Sequence, residues 1–261
     1  MKLAAQMFTV RDYAKDLDGL ENTLGRIADI GYEYVQVSGT CPYEPEWLRE
    51  KLDKYGLECV ITHIPSERIC ADTEKVIAEH NVFGCDIIGV GAMPDVFNKN
   101  VSMEQAYNSF VEKFVPAAKK IAAAGKKLSY HNHDAEFMRS PATGTIYFER
   151  LMTEIPPELL CFTLDTYWVQ FGGKDPATVI RELKGRCPVV HFKDYLIDRD
   201  DPEQHQHTAV CGEGNLDFEG IIEACRYAGT EYVTVEQDLC YGEDPFDCLK
   251  RSRDYLLKMG I

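Results

Sequence analysis

The spacing of apolar residues along the chain changes again and again. Stretches with apolar residues three and four apart, such as LDGLENTLGRIADI (17–30) and DFEGIIEACRYA (217–228), alternate with short, nearly unbroken apolar runs. The first spacing predicts an amphipathic helix, the second a strand buried on both faces. The joint between them recurs six times, as IADIGYEYVQV, LDKYGLECVIT, HNVFGCDIIGV, IAAAGKKLSYH, ELKGRCPVVHF and CRYAGTEYVTV. Each copy has a glycine after the helix (Gly31, Gly56, Gly84, Gly125, Gly185, Gly229) and a β-rich run about two residues on. Glycine there suits the left-handed residue that closes a helix. KLAAQMF at the start and LLCFTLD after Pro156 and Pro157 bring the strands to eight. Eight helical patterns alternate with them, TGTIYFERLMTEI being the least regular, and Ser102 with Gln105 predicts a capping box on the longest.

Strict βα alternation through 261 residues predicts one domain, 1–261, folded as an α/β single (β/α)8 TIM barrel. An open doubly wound sheet is the competing fold, and the absence of GxGxxG after the first strand speaks against it.

Charge narrows the partners. The net charge is −15, with acidic residues spread along the chain, which opposes nucleic acid and anionic membrane surfaces. Ten cysteines include no CxxC pair, and several sit in apolar runs such as ECVIT and LLCFTLD, as free thiols do in a reducing compartment. Arg11 and Asp12 interrupt the apolar start too early for a signal peptide, and no stretch is long enough to span a bilayer, so a cytoplasmic protein is expected. No glycine-rich phosphate loop or arginine cluster stands at a strand end.

In a barrel of this kind the chemistry sits at the C-terminal ends of the strands. Those positions hold Gln6; Gln36 and Ser38; His63; His131, Asn132 and His133; Asp165, Tyr167 and Trp168; His191, Lys193 and Asp194; and Glu236, Gln237 and Asp238. His131, Asp165, His191 and Glu236 supply one candidate ligand from each of the last four strands. Imidazole and carboxylate without thiolate suit one divalent ion, Mn²⁺, Mg²⁺ or Co²⁺ ahead of Zn²⁺. With its strand ending there, only one of His131 and His133 is expected to point inward, and His131 is the expected ligand. His63, before Pro65, is open to substrate contact or to loop hydrogen bonding. His80 reads as structural, near a helix C-terminus that favours imidazolium, while His205, His207 and the run DRDDPE (198–203) read as solvated loop.

The segments YHNHDAEF, LDTYWVQFGGKDP, VVHFKDY, GEGNLDF and YVTVEQD, in that order, resemble the xylose-isomerase-like TIM barrels, the sugar phosphate isomerase/epimerase group. The resemblance implies a divalent metal held by the last four strands, with Asp165, His191 and Glu236 matching three of the family's ligands. The fourth, usually a Glu followed by Asn, stands here as His131-Asn132. It also implies a small carbohydrate substrate, the dimers or tetramers common in the family, and an isomerase or epimerase working through an enediolate. Glu236 would be the base, Lys193 would hydrogen-bond a substrate oxygen, Trp168 and Phe8 would wall the sugar ring, and Gln6 would be a further substrate contact. Because His131 replaces a glutamate, the second acid/base falls to Glu136, His133 or Glu213. Otherwise one base suffices, as in a lyase or hydrolase of 3-keto glycosides or an inosose-type dehydratase. A non-catalytic sugar-binding barrel is the remaining alternative. The abasic-site endonucleases of the same fold are disfavoured, because Trp168 stands where they carry a metal-binding His.

Overall fold

The computed structural model describes residues 1–202 and 204–261. Eight parallel strands close into a barrel: β1 (Lys2–Gln6), β2 (Tyr34–Val37), β3 (Glu58–Ile64), β4 (Ile87–Val90), β5 (Lys127–His131), β6 (Cys161–Asp165), β7 (Val189–Phe192) and, last in the chain, β10 (Tyr232–Val235). Around the barrel the order is sequential, with β10 joining β7 to β1. All eight expected helices form: α1 (Leu17–Ile30), α2 (Pro45–Tyr55), α4 (Thr73–Val82), α5 (Met103–Ala123), α6 (Tyr147–Glu154), α8 (Pro176–Glu182), α9 (Phe218–Ala228) and α10 (Pro245–Lys258). Two short helices are additional, α3 (Ser66–Ala71) and α7 (Thr166–Phe171). The six joint glycines all adopt positive φ, from 65° at Gly56 to 103° at Gly31. Ser102 and Gln105 form the expected capping box.

The barrel interior changes character from base to mouth, because side chains two apart on a strand face the same way. Ala4, Val60, Ile61, Ile87 and Val189 pack together in a small apolar cluster of their own. One layer higher, the Ser129 and Thr163 hydroxyls share a hydrogen bond of 2.7 Å. Two residues further on come His131, Asp165, His191 and Glu236, all buried. Register holds them side by side: His131 pairs with Thr163, Asp165 with His191, and His191 with Thr234. Between β2 and β3 the register shifts, so that Val35 and Gln36 pair with Cys59 and Ile61 and skip Val60. Such bulges re-aim side chains near sites.

One departure from strict alternation follows β7. There β8 (Asp194–Ile197) and β9 (Gln206–Ala209) form an antiparallel hairpin. His207 is consequently buried, stacked on Tyr241 with centroids 4.0 Å apart, and its Nε2 lies 3.0 Å from Asp201. The solvated reading is thus corrected for His207, while His205 is half-buried and Glu203 lies outside the described residues. His80 is structural, with Nδ1–H donating to Val76 O at 2.7 Å and Nε2 accepting from Thr62 at 2.8 Å. It is neutral rather than imidazolium, since burial pushes its pKa down to about 4. All ten cysteines are free. Among the described residues no helix is long and apolar enough to cross a membrane.

Candidate active site

A cavity of about 410 Å³ opens at the C-terminal end of the barrel, with His63, His131, His133, Lys193, Glu236 and Asp238 among its walls. His191 joins Glu236 to Gln36 of β2. Its Nδ1 is 2.7 Å from Glu236 Oε2, and its Nε2–H donates to Gln36 Oε1 at 2.7 Å. The Gln36 amide in turn donates to His63 Nε2 at 2.9 Å, and Ser38 Oγ lies 3.4 Å from His63 Nδ1. His63 thus lines the cavity and is at the same time fixed by these hydrogen bonds.

Lys193 is the second hub. Its ammonium lies 2.9 Å from Asp165 Oδ2, 3.0 Å from Glu236 Oε2 and 3.0 Å from Asp238 Oδ2, although the side chain is almost fully buried. Burial opposes its charge, but the three carboxylates outweigh burial and push its pKa well up. Burial also opposes ionisation of Glu236, and there Lys193 and His191 win, holding the carboxyl far below the usual range. His191 is raised, Glu236 and Asp165 overcoming its burial. The other imidazoles go the opposite way: burial pushes His63 to about 3, His133 to about 4 and His131 well below its ordinary value.

His131, Asp165, His191 and Glu236 each offer a donor atom within 4.8 Å of the others, and all four are buried. Three details fit a divalent cation there. Trp168 N–H donates to Asp165 Oδ1 at 3.0 Å, which turns Oδ2 to the cluster. Gln36 fixes the outer nitrogen of His191, the usual support of a metal-binding imidazole. His131 Nδ1 is buried with no hydrogen-bond partner.

The structure separates the remaining candidates. His133 lines the cavity alongside His131, so two imidazoles, not one, turn inward at the end of β5. Phe8 lines the cavity too, whereas Trp168 stands behind His133, ring centroids 5.3 Å apart. Gln6 is buried at the end of β1, where its Oε1 accepts from Phe8 N at 3.2 Å. Glu136 is corrected: it is fully buried, hydrogen-bonded by the Tyr130 hydroxyl and by His133 N, and is not part of the cavity wall. Glu213 is corrected as well, being exposed and paired with Arg251 at 3.0 Å. The cause is Asp194, whose carboxylate accepts from Gly212 N, Gly214 N and Leu216 N at 2.9, 2.9 and 3.1 Å. A Cβ on Gly214 would stand 2.5 Å from Asp194 Oδ1, so the glycines of GEGN serve this close approach.

A buried His, Asp and Glu donor set at the mouth of a (β/α)8 barrel marks the candidate active site of a barrel enzyme. The chain matches the xylose isomerase-like TIM barrel family over residues 24–256, and it belongs to that family. It is 24% identical to the inosose dehydratase of Lacticaseibacillus casei, the match covering 90% of this chain and 88% of that protein. With the inosose dehydratase of Clostridium perfringens the identity is 25%, over 91% and 90%. Among solved structures, a sugar phosphate isomerase/epimerase from Parabacteroides distasonis shares the fold with a TM-score of 0.79, at 21% identity over 98% of this chain and 93% of that one. An L-ribulose 3-epimerase shares it with a TM-score of 0.72, at 16% identity over 99% and 94%. The relatives named here are thus sugar-modifying enzymes.

Proposed function

We propose that the protein is a divalent-metal-dependent lyase that removes a proton beside the carbonyl of a polyhydroxy ketone and expels a β-hydroxyl as water. The one-sided placement of its carboxylates carries this reading. In the barrel order, β4 stands across from β10, and it is followed by Gly91 and Ala92. Its neighbours β3 and β5 bring His63, His131 and His133. Among the described residues lining the cavity, Glu236 and Asp238 therefore face no carboxylate. Epimerisation by two bases needs an acid–base group on each face of the substrate carbon, whereas elimination from a single face needs one. Relatives named inosose dehydratase support the same class, an inosose being a polyhydroxy ketone.

Glu236 makes its contacts with His191 and Lys193 through Oε2, which leaves Oε1 to take the proton. The Lys193 ammonium donates to the oxygen that gains negative charge. Glu236 then returns the proton to the hydroxyl departing from the same face. One C–H and one C–O bond break, a C=C bond forms, water leaves and the carboxylate is restored. A divalent ion held by His131, Asp165, His191 and Glu236 would supply polarisation of the carbonyl. Incubation of metal-loaded protein with an inosose tests the reading. Growth of enone absorbance with loss of water is expected. An epimer carrying solvent deuterium, with no dehydrated product, would establish the two-base isomerase instead.

A further inference from the structure

Beside the mouth cavity lies a larger hollow of about 550 Å³. Two loops wall both spaces, the one after β4 and the one after β5. Gly91 and Ala92 of the first loop and His133 of the second face the mouth cavity. Further along the same loops, Phe97 and Val101, then Ala135 and Met138, line the hollow. Phe97 meets His133 edge to face across the partition, centroids 5.1 Å apart. Phe97 is 64% exposed and Met138 56%, large apolar side chains left in water at the rim of a polar site.

On the floor of the hollow the charge of Glu104 is engaged, while Lys99 and Arg139 stand on its wall. Glu104 accepts from Ser140 Oγ at 2.8 Å, Tyr147 OH at 2.9 Å and Arg150 Nη1 at 2.9 Å. The outer wall is tied by the Arg139–Ile146 bridge and by Arg139 Nη1 donating to Gly144 O at 2.9 Å. A pre-formed apolar hollow of this size suits part of a small molecule.

We propose that the hollow is a second subsite, taking an apolar, aryl-type group that the substrate carries beyond its polyhydroxy ring. The preferred substrate is then a conjugate, such as a glycoside-like ketone with an aromatic aglycone, rather than a bare polyol. This rests on the reading that the ring itself sits at Glu236 and Lys193. Adjacency selects the occupant: Phe97 of the hollow touches His133 of the mouth cavity, so a group reaching past His133 meets the apolar hollow.

Calorimetric titration with phenyl β-D-glucoside and methyl β-D-glucoside tests the subsite on wild-type protein, Phe97→Ala and Met138→Asp. Both side chains are more than half exposed, and thermal melts check that the variants fold. The phenyl glucoside is expected to bind wild type ~10-fold more tightly than the methyl glucoside, the ratio falling below ~3-fold in both variants. A ratio near one in wild type, no binding of either glucoside, or a ratio unchanged by both substitutions overturns the subsite. So does self-association of wild type that Met138→Asp abolishes without any phenyl preference, which would assign the face to a second copy of the chain. The two proposals fail separately. Phenyl preference without elimination from any ketone keeps the subsite and removes the lyase, whereas elimination from an inosose without phenyl preference does the reverse.

Discussion

The base and the mouth of the barrel are built by the same eight strands and stabilised by opposite means. At the base, Ala4, Val60, Ile61, Ile87 and Val189 fill the interior with hydrocarbon, and the Lys127–Glu231 ion pair stays half-exposed at the rim. At the mouth, Asp165 and Glu236 are buried with their carboxylates within 3.0 Å of the Lys193 ammonium. Apolar burial needs no partner, whereas each buried charge depends on the others and leaves them uncompensated when it is removed. The base holds the barrel together; the mouth keeps charges in place that water would otherwise solvate.

Substitutions at the two ends should therefore separate rate from stability. Glu236→Gln is expected to lower turnover by about 10³-fold or more by removing the only proton acceptor of the proposed step. Near-wild-type turnover of an inosose by that variant would remove Glu236 from the mechanism. Ile87→Ala should do the converse, costing about 3 kcal/mol in urea unfolding with kcat little changed. A large loss of kcat on an intact fold would show that the base is coupled to the site.

The parts of the molecule that could be read from sequence are those set by local rules. An αβ joint needs a left-handed glycine a fixed distance before a strand, so the six joints, the eight helices and the strand ends were legible. The same logic exposed His131, Asp165, His191 and Glu236, because packing alone does not favour a polar residue at the end of a buried strand. Contacts between distant segments were not legible. Glu136 is claimed by Tyr130 and the backbone of His133, and Glu213 is turned outward by the grip of Asp194 on its flanking glycines. Two glycines flanking one glutamate were the available sign of a close backbone approach. The support of His191 by Gln36 lies beside the register shift at Val60, and the contact of Asp238 with Lys193 joins the ends of two separate strands. The hairpin after β7 was hidden because its strands are short and partly polar.

Lys193 sharpens the comparison next. Its ammonium touches Asp165 Oδ2 and Glu236 Oε2, two of the carboxylates in the donor set, so a divalent ion at that set competes with it. Lys193→Met should tighten Mn²⁺ binding ~10-fold in calorimetry while lowering turnover ~100-fold, as expected for loss of a preorganised cation. Weaker Mn²⁺ binding in the variant would mean that Lys193 organises the carboxylates rather than opposing the ion. Metal analysis supplies the baseline, with about one ion per wild-type chain and much less in Asp165→Ala and His131→Ala.

The smallest effect compares two buried histidines. His191 at the mouth is raised by the carboxylates around it, whereas His80, between the barrel and the helix layer, is pushed down to about 4 by burial. Folded His80 therefore resists a proton that the unfolded chain, at about 6.5, accepts. Its stabilising contribution is complete above about pH 6.5 and is lost as pH falls toward 4, reaching about 2 kcal/mol of loss at pH 5. His63, His131 and His133 are lowered too, so the signal lies in a difference. Between pH 7.5 and pH 5, wild type should lose about 2 kcal/mol more than His80→Gln in urea unfolding. Equal losses would mean that the hydrogen bonds to Val76 and Thr62 tolerate the imidazolium, and that burial at this position does not control its charge.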